Sequence, residues 1–288
     1  MSRSRSPALR FGGALHEGLA AWYRGLGAEA SLDAIARAWD NTWDSDDYRT
    51  LEKCAKTFIA YIKEYPHENF TVVGAPETPI VEQTFAIDTG WFCGCLDCGK
   101  FNLDPTKAQC DFCHADLEPI EYGGILDLLI DFNGVVYPMD HKSTSIVAPV
   151  KGGYFFDQFK PDNQMTGYHW GGTKLSGGRV GGVMINAIAM NKSDTVFARR
   201  ITSRNELDVQ EWLVSLRLHC TEIMRHKSLG VFPLRTTSCT TKYGKCQFHS
   251  VHTLSNADDR LRRLETDYIH NPWDFENRDT LPTEGASE

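Results

Sequence analysis

Asp127, Asp140 and Lys142 lie in a stretch whose spacing sets two carboxylates and an amine on one face of a β-hairpin. The segment reads Gly123-Gly-Ile-Leu-Asp127-Leu-Leu-Ile-Asp-Phe-Asn133-Gly134-Val-Val-Tyr-Pro138-Met-Asp140-His-Lys142. Asn-Gly between two apolar runs is a strong signal for a two-residue hairpin turn. With that turn, Phe132 pairs with Val135, Leu129 with Pro138, and Asp127 falls opposite Asp140. Strand alternation puts Lys142 on the same face. Counting out from the turn, Pro138 falls at a non-hydrogen-bonded pair, where its missing N–H costs the hairpin nothing. Two opposed carboxylates repel, and a divalent cation between them reverses the sign. Mg²⁺ or Mn²⁺ held by carboxylates, with a lysine beside it, is chemistry suited to phosphodiester hydrolysis. A surface hairpin with scattered charges does not explain an Asp facing an Asp inside such apolar strands.

A second constellation is Cys95-x-x-Cys98 with Cys110-x-x-Cys113. Two tight turns, each offering two thiolates, complete a tetrahedral zinc site and fold a segment too small for a core of its own. Phe101, Asn102, Leu103 and Pro105 suit the connecting loop, and Cys93 and His114 read as bystanders.

The elements that must position these groups are legible as periodicities. Residues 11–26 read as a helix, as do Asp33–Trp43 and Tyr48–Tyr65, the last ended by Pro66. Val72–Val73 and Ile80–Ile87 read as strands, followed by the cysteine-rich insert between Trp91 and Glu118. Beyond the hairpin come an aromatic loop (Gly152–Asp162), a helix opening at Asn163–Trp170, and strands at Gly181–Met190 and Val196–Ile201. A long helix follows at Asn205–His226, with Leu207, Trp212, Leu213, Leu216 and Ile223 on its apolar side, and then an irregular end. This order indicates an α/β core.

Composition bounds the reading. The chain has 288 residues, 41% apolar and 24% charged, enough for a sizeable core. No run of eighteen apolar residues is present, so no membrane partner is expected. The first ten residues are basic without an apolar stretch behind them, so a secretory leader is not expected. A net charge of -8 does not advertise nucleic-acid binding, but a metal-binding nuclease carries a carboxylate cluster and needs only a local basic surface. Part of that charge is an acidic end after Thr266, read as solvated. The nine cysteines sit mostly in close pairs or near histidines, which favours metal ligation in a reducing, cytoplasmic setting over disulfides.

Taken in order, these motifs resemble the PD-(D/E)XK nuclease superfamily, and within it the RecB-type branch that includes CRISPR-associated adaptation nucleases and many phage exonucleases. Phe11-Gly-Gly-Ala-Leu-His16-Glu-Gly-Leu resembles the branch's helix motif, whose histidine approaches the metal. Val81-Glu82-Gln-Thr-Phe85 resembles the strand before the core hairpin. Gly124-Ile-Leu-Asp127 and Asp140-His-Lys142 resemble its two signature motifs, and Gln164-Met-Thr-Gly-Tyr168 resembles its Gln-x-x-x-Tyr helix motif. The resemblance implies a restriction-endonuclease-like core, a mixed central sheet flanked by helices. It implies a metal-dependent deoxyribonuclease, an exonuclease in recombination, repair or replication, working on DNA and beside a helicase or recombination protein. It implies Mg²⁺ or Mn²⁺ on His16, Asp127 and Asp140. On the residues alone, His16 on an amphipathic helix is also compatible with a packed or capping role. Glu82 reads either as an outward charge or as a group at the metal. Gln164 and Tyr168, one helical turn apart, could meet DNA phosphate, meet the lysine, or pack. The alternative function is a non-catalytic, zinc-containing DNA-binding or scaffold protein on the same fold.

Cys239-Thr-Thr-Lys-Tyr-Gly-Lys-Cys246 followed by His252 is similar to the C-terminal cysteine cluster that completes an iron–sulfur site in such relatives. Two departures stand out. His252 occupies the place of the last cysteine, and no cysteine precedes His16, so either Cys54 or Cys220 substitutes or the true start lies upstream of Met1. The stretch is read as a remnant, a thiol staple in place of an intact cluster. The segmentation expected is 1–90 (N-terminal helices and first strands), 91–118 (zinc-ribbon-like insert), 119–232 (nuclease core) and 233–288 (Cys/His segment and acidic tail).

Overall fold

The computed structural model describes residues 6–39, 47–92, 94–95, 98, 100, 104, 106–117, 119–241 and 244–269. Trp43, Cys93, the loop residues 101–103 and 105, and the acidic end beyond residue 269 lie outside the described residues. In chain order the helices are α1 (Pro7–Tyr23), α2 (Gly27–Ala38), α3 (Leu51–Glu64), α4 (Val147–Gly152), α5 (Asn163–Ser176), α6 (Glu206–Leu229), α7 (His249–His252) and α8 (Ala257–Asp267). The strands are β1 (Thr71–Val72), β2 (Gly74–Ala75), β3 (Thr78–Pro79), β4 (Val81–Asp88), β5 (Glu121–Phe132), β6 (Val135–Thr144), β7 (Val183–Met190), β8 (Thr195–Thr202), β9 (Thr240–Thr241) and β10 (Gly244–Lys245). Two compact units result, one of Ser4–Gly90 with Ile120–Leu218, the other chiefly of Trp91–Pro119 with His219–Glu288.

The first unit is a mixed α/β structure around a six-stranded sheet in the order β1-β5-β6-β7-β8, with β4 also paired to β5. All pairings are antiparallel except β6 with β7, which α4 and α5 join as a crossover. Parallel neighbours need such a connection. The hairpin turn is as the sequence predicts. Asn133 and Gly134 have φ of +55° and +78°, and Phe132 pairs with Val135. Leu129 pairs with Pro138, and its N–H and C=O point the other way, to Ile80 O at 3.0 Å and from Val73 N at 2.8 Å. The proline therefore removes no donor from this pair.

Two apolar layers hold the sheet. Phe11, Leu15 and Leu19 of α1, Ile35 of α2 and Phe58 of α3 pack with Leu128, Ile130 and Met139 on one side. On the other, α5 lies close because its sheet-facing residues are glycines. A Cβ on Gly171 would come 2.8 Å from Phe85, and one on Gly172 2.5 Å from Pro138. Asp162 caps α5, accepting from Met165 N at 3.0 Å.

Several local expectations are corrected. The aromatic segment is not a loop: α4 runs into a 3₁₀ turn at Tyr154–Phe159, because Phe156 and Phe159, three apart, are both buried. On α6, Trp212 is buried and Leu213 and Leu216 are half-buried as expected, but Leu207 and Ile223 at the two ends of that face are 64% and 58% exposed. The end of the chain is not irregular, since α7 and α8 lie there. Asn256 caps α8 through Asp258 N at 2.8 Å. Among the described residues, no helix is long and apolar enough to cross a membrane.

Candidate metal centre and its polar support

Glu82 on β4, Asp127 on β5 and Asp140 on β6 fall on one rung of the sheet, and both ladders lapse there. The β4–β5 pairing runs through Val81↔Leu128 and Gln83↔Leu126 but not through the position between them. The β5–β6 pairing stops at Leu128↔Met139, one residue short of the Asp127–Asp140 pair expected from the register. Glu82 has a left-handed φ of +50°. The side-chain alternation shifts at the same place, because Leu128 and Ile130 join the α1–α3 layer while Leu126 joins Phe85 and Leu129. The backbone groups freed by the lapse are used locally. The N–H of His141 donates to Asp127 Oδ2 at 2.8 Å.

His16 reaches this point from α1. Its Nε2 lies 2.9 Å from the His141 carbonyl, so Nε2–H donates and Nδ1 is turned to the carboxylates. Nδ1 is 3.8 Å from Glu82 Oε1 and 3.6 Å from Asp127 Oδ2. One donor atom each from His16, Glu82 and Asp127 lies within 4.8 Å of the other two. A ring N–H held by a backbone carbonyl, with the other nitrogen facing acidic oxygens, is how metal-ligating histidines are oriented.

Asp140 is buried and takes its partner from its own strand. Lys142 Nζ lies 3.0 Å from its Oδ1 and 2.9 Å from its Oδ2. The Oδ2 contact lacks hydrogen-bond geometry, which leaves a buried carboxylate oxygen unsatisfied. Lys142 also donates to Gln164 Oε1 at 2.9 Å, and the Gln164 amide donates to Tyr168 Oη at 3.0 Å. Thus Gln164 and Tyr168 meet the lysine.

The electrostatics are those of crowded buried acid. Burial pushes Asp127 up to about 7, against the pull of His16 and with the push of Asp140 and Glu82. Burial likewise raises Asp140 despite Lys142. For His16, burial opposes the imidazolium, but Asp127, Glu82 and Asp140 prevail and raise it to about 9. Burial, Asp127 and Asp140 lift Tyr168 far above the usual phenol range. His16, Glu82 and Asp127 together form a group of one nitrogen and two carboxylates that could hold a metal ion.

Behind the site lies a polar network that the sequence reading did not anticipate. Arg199 donates to Glu68 at 2.6 and 2.9 Å, to Tyr61 at 2.7 Å and to Asn186 Oδ1 at 3.3 Å. Asn186 Nδ2 meets Tyr61 Oη at 2.9 Å and His141 Nδ1 at 2.8 Å. The signal for it was Asn186 itself, one amide within the wholly buried strand Val183–Met190.

In the second unit, Cys95, Cys98, Cys110 and Cys113 form a cluster that can hold a metal such as zinc. Sγ–Sγ distances are 3.4 Å for Cys95–Cys113 and 3.6 Å for Cys98–Cys110. A tetrahedron with zinc–sulfur bonds of ~2.3 Å has edges of about 3.8 Å. The two turns close alike: Cys95 N donates to Lys100 O at 3.0 Å, and Cys110 N to Ala115 O at 2.9 Å. N–H groups of Cys113 and Phe112 pull the Cys110 thiol down to about 6. Cys239, Cys246 and His252 join no group of three or more close metal-ligating side chains among the described residues. Cys54 is fully buried in the α1–α3 core and faces Phe11 O at 3.9 Å, so it does not replace a missing cluster ligand. Comparison with protein-family models and with curated proteins finds no match.

Proposed function

We propose that this protein is a metal-dependent deoxyribonuclease with a restriction-endonuclease-like core, its cation held by His16, Glu82 and Asp127 with Asp140 alongside. The observation that carries this reading is the rung of acidic residues at which two strand ladders lapse together. Backbone pairing is given up there, a left-handed glutamate is tolerated, and a buried carboxylate oxygen, though beside Lys142, accepts no hydrogen bond. Such concentrated cost is the mark of a functional site.

A cation held by His16, Glu82 and Asp127 would supply Lewis acidity toward a scissile phosphate and its attacking water. The chain supplies the rest. The backbone of His141 fixes Asp127 by its N–H and His16 by its C=O. Asp140 and Gln164 aim the Lys142 ammonium, whose remaining donor capacity meets charge building on a phosphate oxygen. Tyr168, by accepting from the Gln164 amide, keeps that residue's oxygen turned to Lys142. The exonuclease mode, the recombination or repair role and a helicase partner follow from the resemblance alone.

The test is digestion of linear and closed circular DNA with Mg²⁺, Mn²⁺ or EDTA, beside the Asp127→Ala and Asp140→Ala proteins. Metal-dependent loss of linear DNA that both substitutions abolish is the expected result. Cutting of the closed circle would make the enzyme an endonuclease. Metal-independent cleavage, or DNA binding without turnover, would overturn the reading, and the latter would favour a scaffold.

A further inference from the structure

We infer that Asn186, backed by the Glu68–Arg199 ion pair, is a positioning residue for the metal centre and acts through the side chain of His141. This rests on the reading of His16, Glu82 and Asp127 as a cation site.

The bonds of the buried network run in one sense. Tyr23 Oη is 2.7 Å from Glu68 Oε1 and donates to it. Tyr61 Oη, 2.6 Å from Tyr23 Oη, must then donate to Tyr23. Tyr61 in turn accepts from Arg199 at 2.7 Å and from the Asn186 amide at 2.9 Å. Asn186 Oδ1 faces Arg199 Nε at 3.3 Å, so its NH₂ end must face His141. At 2.8 Å that NH₂ donates to His141 Nδ1, which is therefore the bare nitrogen of the ring. Tyr23 stacks on the same ring, 5.8 Å between centroids and 13° from parallel. The His141 side chain is thus gripped on an edge and a face.

This grip matters because His141 meets His16 with its ring only edge-on, 5.7 Å between centroids, and carries its hydrogen bonds to the site elsewhere. They come from its backbone, which donates to Asp127 and accepts from His16. At the point where the ladder lapses, the N–H and C=O of His141 have no backbone partner on β5, and on the other side the β6–β7 ladder sets His141 opposite Asn186. The N–H and C=O of His141 belong to successive peptide groups that share its Cα, so a side chain held on an edge and a face helps fix φ and ψ there, and with them the directions in which the two groups meet Asp127 and His16. Outer residues of this kind typically contribute 10–100-fold to metal affinity.

The experiment measures Mn²⁺ affinity by calorimetry and by electron paramagnetic resonance, with ¹⁵N NMR of the His141 ring. Asn186→Leu removes the donor. His141→Phe keeps the stack on Tyr23, deletes the acceptor and leaves the remaining Asn186 bonds in place, which covers failure of Asn186→Leu to fold. Val150→Ala, a core change in the separate α4 layer that contains no member of the network, serves as the control for stability alone. The parent should show an unprotonated Nδ1, and both network variants should bind Mn²⁺ on the order of 10–100-fold more weakly while the control binds normally. Network variants that lose thermal stability but bind within twofold of the parent would overturn the inference and leave the nuclease reading standing. So would a protonated Nδ1 in the parent. A parent that binds no Mn²⁺ would sink the cation site and this inference together. A parent that binds Mn²⁺ tightly but cuts no DNA would sink the nuclease reading alone.

Discussion

Lys142 and Asp140, two residues apart on β6, are joined as an ion pair with Nζ 2.9 Å from Oδ2, the lysine side chain 27% exposed and the aspartate 3%. The asymmetry decides what the lysine does for stability. Asp140 has lost its water, and Lys142 is its charge partner, so Lys142→Met leaves a buried carboxylate uncompensated. In EDTA the variant should lose about 1–3 kcal/mol by urea denaturation, less than a fully buried pair because the lysine is partly solvated. Mn²⁺ should restore much of that loss by neutralising the same carboxylate. DNA cleavage should stay near background with the metal present. A variant as stable as the parent in EDTA would show that Asp140 is protonated or otherwise paired.

Glu82 carries the opposite signature. Its φ of +50° lies where a residue with a Cβ is strained and glycine is not. Glu82→Gly should relieve that strain and thin the acidic cluster that pushes Asp127 upward. The metal-free protein should gain about 0.5–1 kcal/mol, read by urea denaturation in EDTA. Mn²⁺ affinity should fall at least tenfold. Gain of stability with loss of binding separates a functional outlier from a merely tolerated one, and a loss of both would argue that Glu82 is a structural residue.

The hairpin register was legible because it depends on local chemistry: Asn133-Gly134 supplies two left-handed residues, and alternation does the rest. The lapse at Asp127 was not legible. It depends on Glu82 and His16, which come from other elements and meet β5 only in the fold. Apolar periodicity likewise found α1 and α3, which bury a stripe, and overlooked α8, in which no residue is buried. For α6 it found Trp212, Leu213 and Leu216, which are buried or half-buried, but extended the same face to Leu207 and Ile223, which remain exposed. Tertiary packing decides which face of such a helix is used. The network through Arg199 was invisible for a similar reason. Its members are spread from Tyr23 to Arg199 and no spacing links them.

The cysteine cluster makes a separate prediction. Purified protein should contain zinc in stoichiometric amount, and Cys110→Ser should remove most of it by elemental analysis. Because the insert's own core is little more than Cys95, Cys110 and Leu117, loss of metal should open it. Limited proteolysis should then cut within Trp91–Pro119. Full zinc retention by a Cys95→Ser/Cys110→Ser protein would place the metal elsewhere.

Cys54 gives the pH dependence with the plainest sign. Burial among Phe11, Phe58 and their neighbours raises its thiol from 9.0 to about 12. An acid whose folded pKa is raised binds its proton more tightly when folded. Its contribution is fully present below pH ~9 and is lost as the pH climbs through 12. Urea midpoints should therefore fall between pH 9 and 12, and Cys54→Ala should make the fall shallower, chiefly near pH 9–10, below the range in which the buried Tyr23 and Tyr61 add their own share. The alanine protein should start from a lower midpoint, by about 1–2 kcal/mol for the small cavity it leaves. Because the thiolate is the nucleophile and the ligand, native Cys54 should also resist iodoacetamide at neutral pH and react only once urea has opened the core. Rapid alkylation of Cys54 in the native protein would show that the α1–α3 layer is open to solvent.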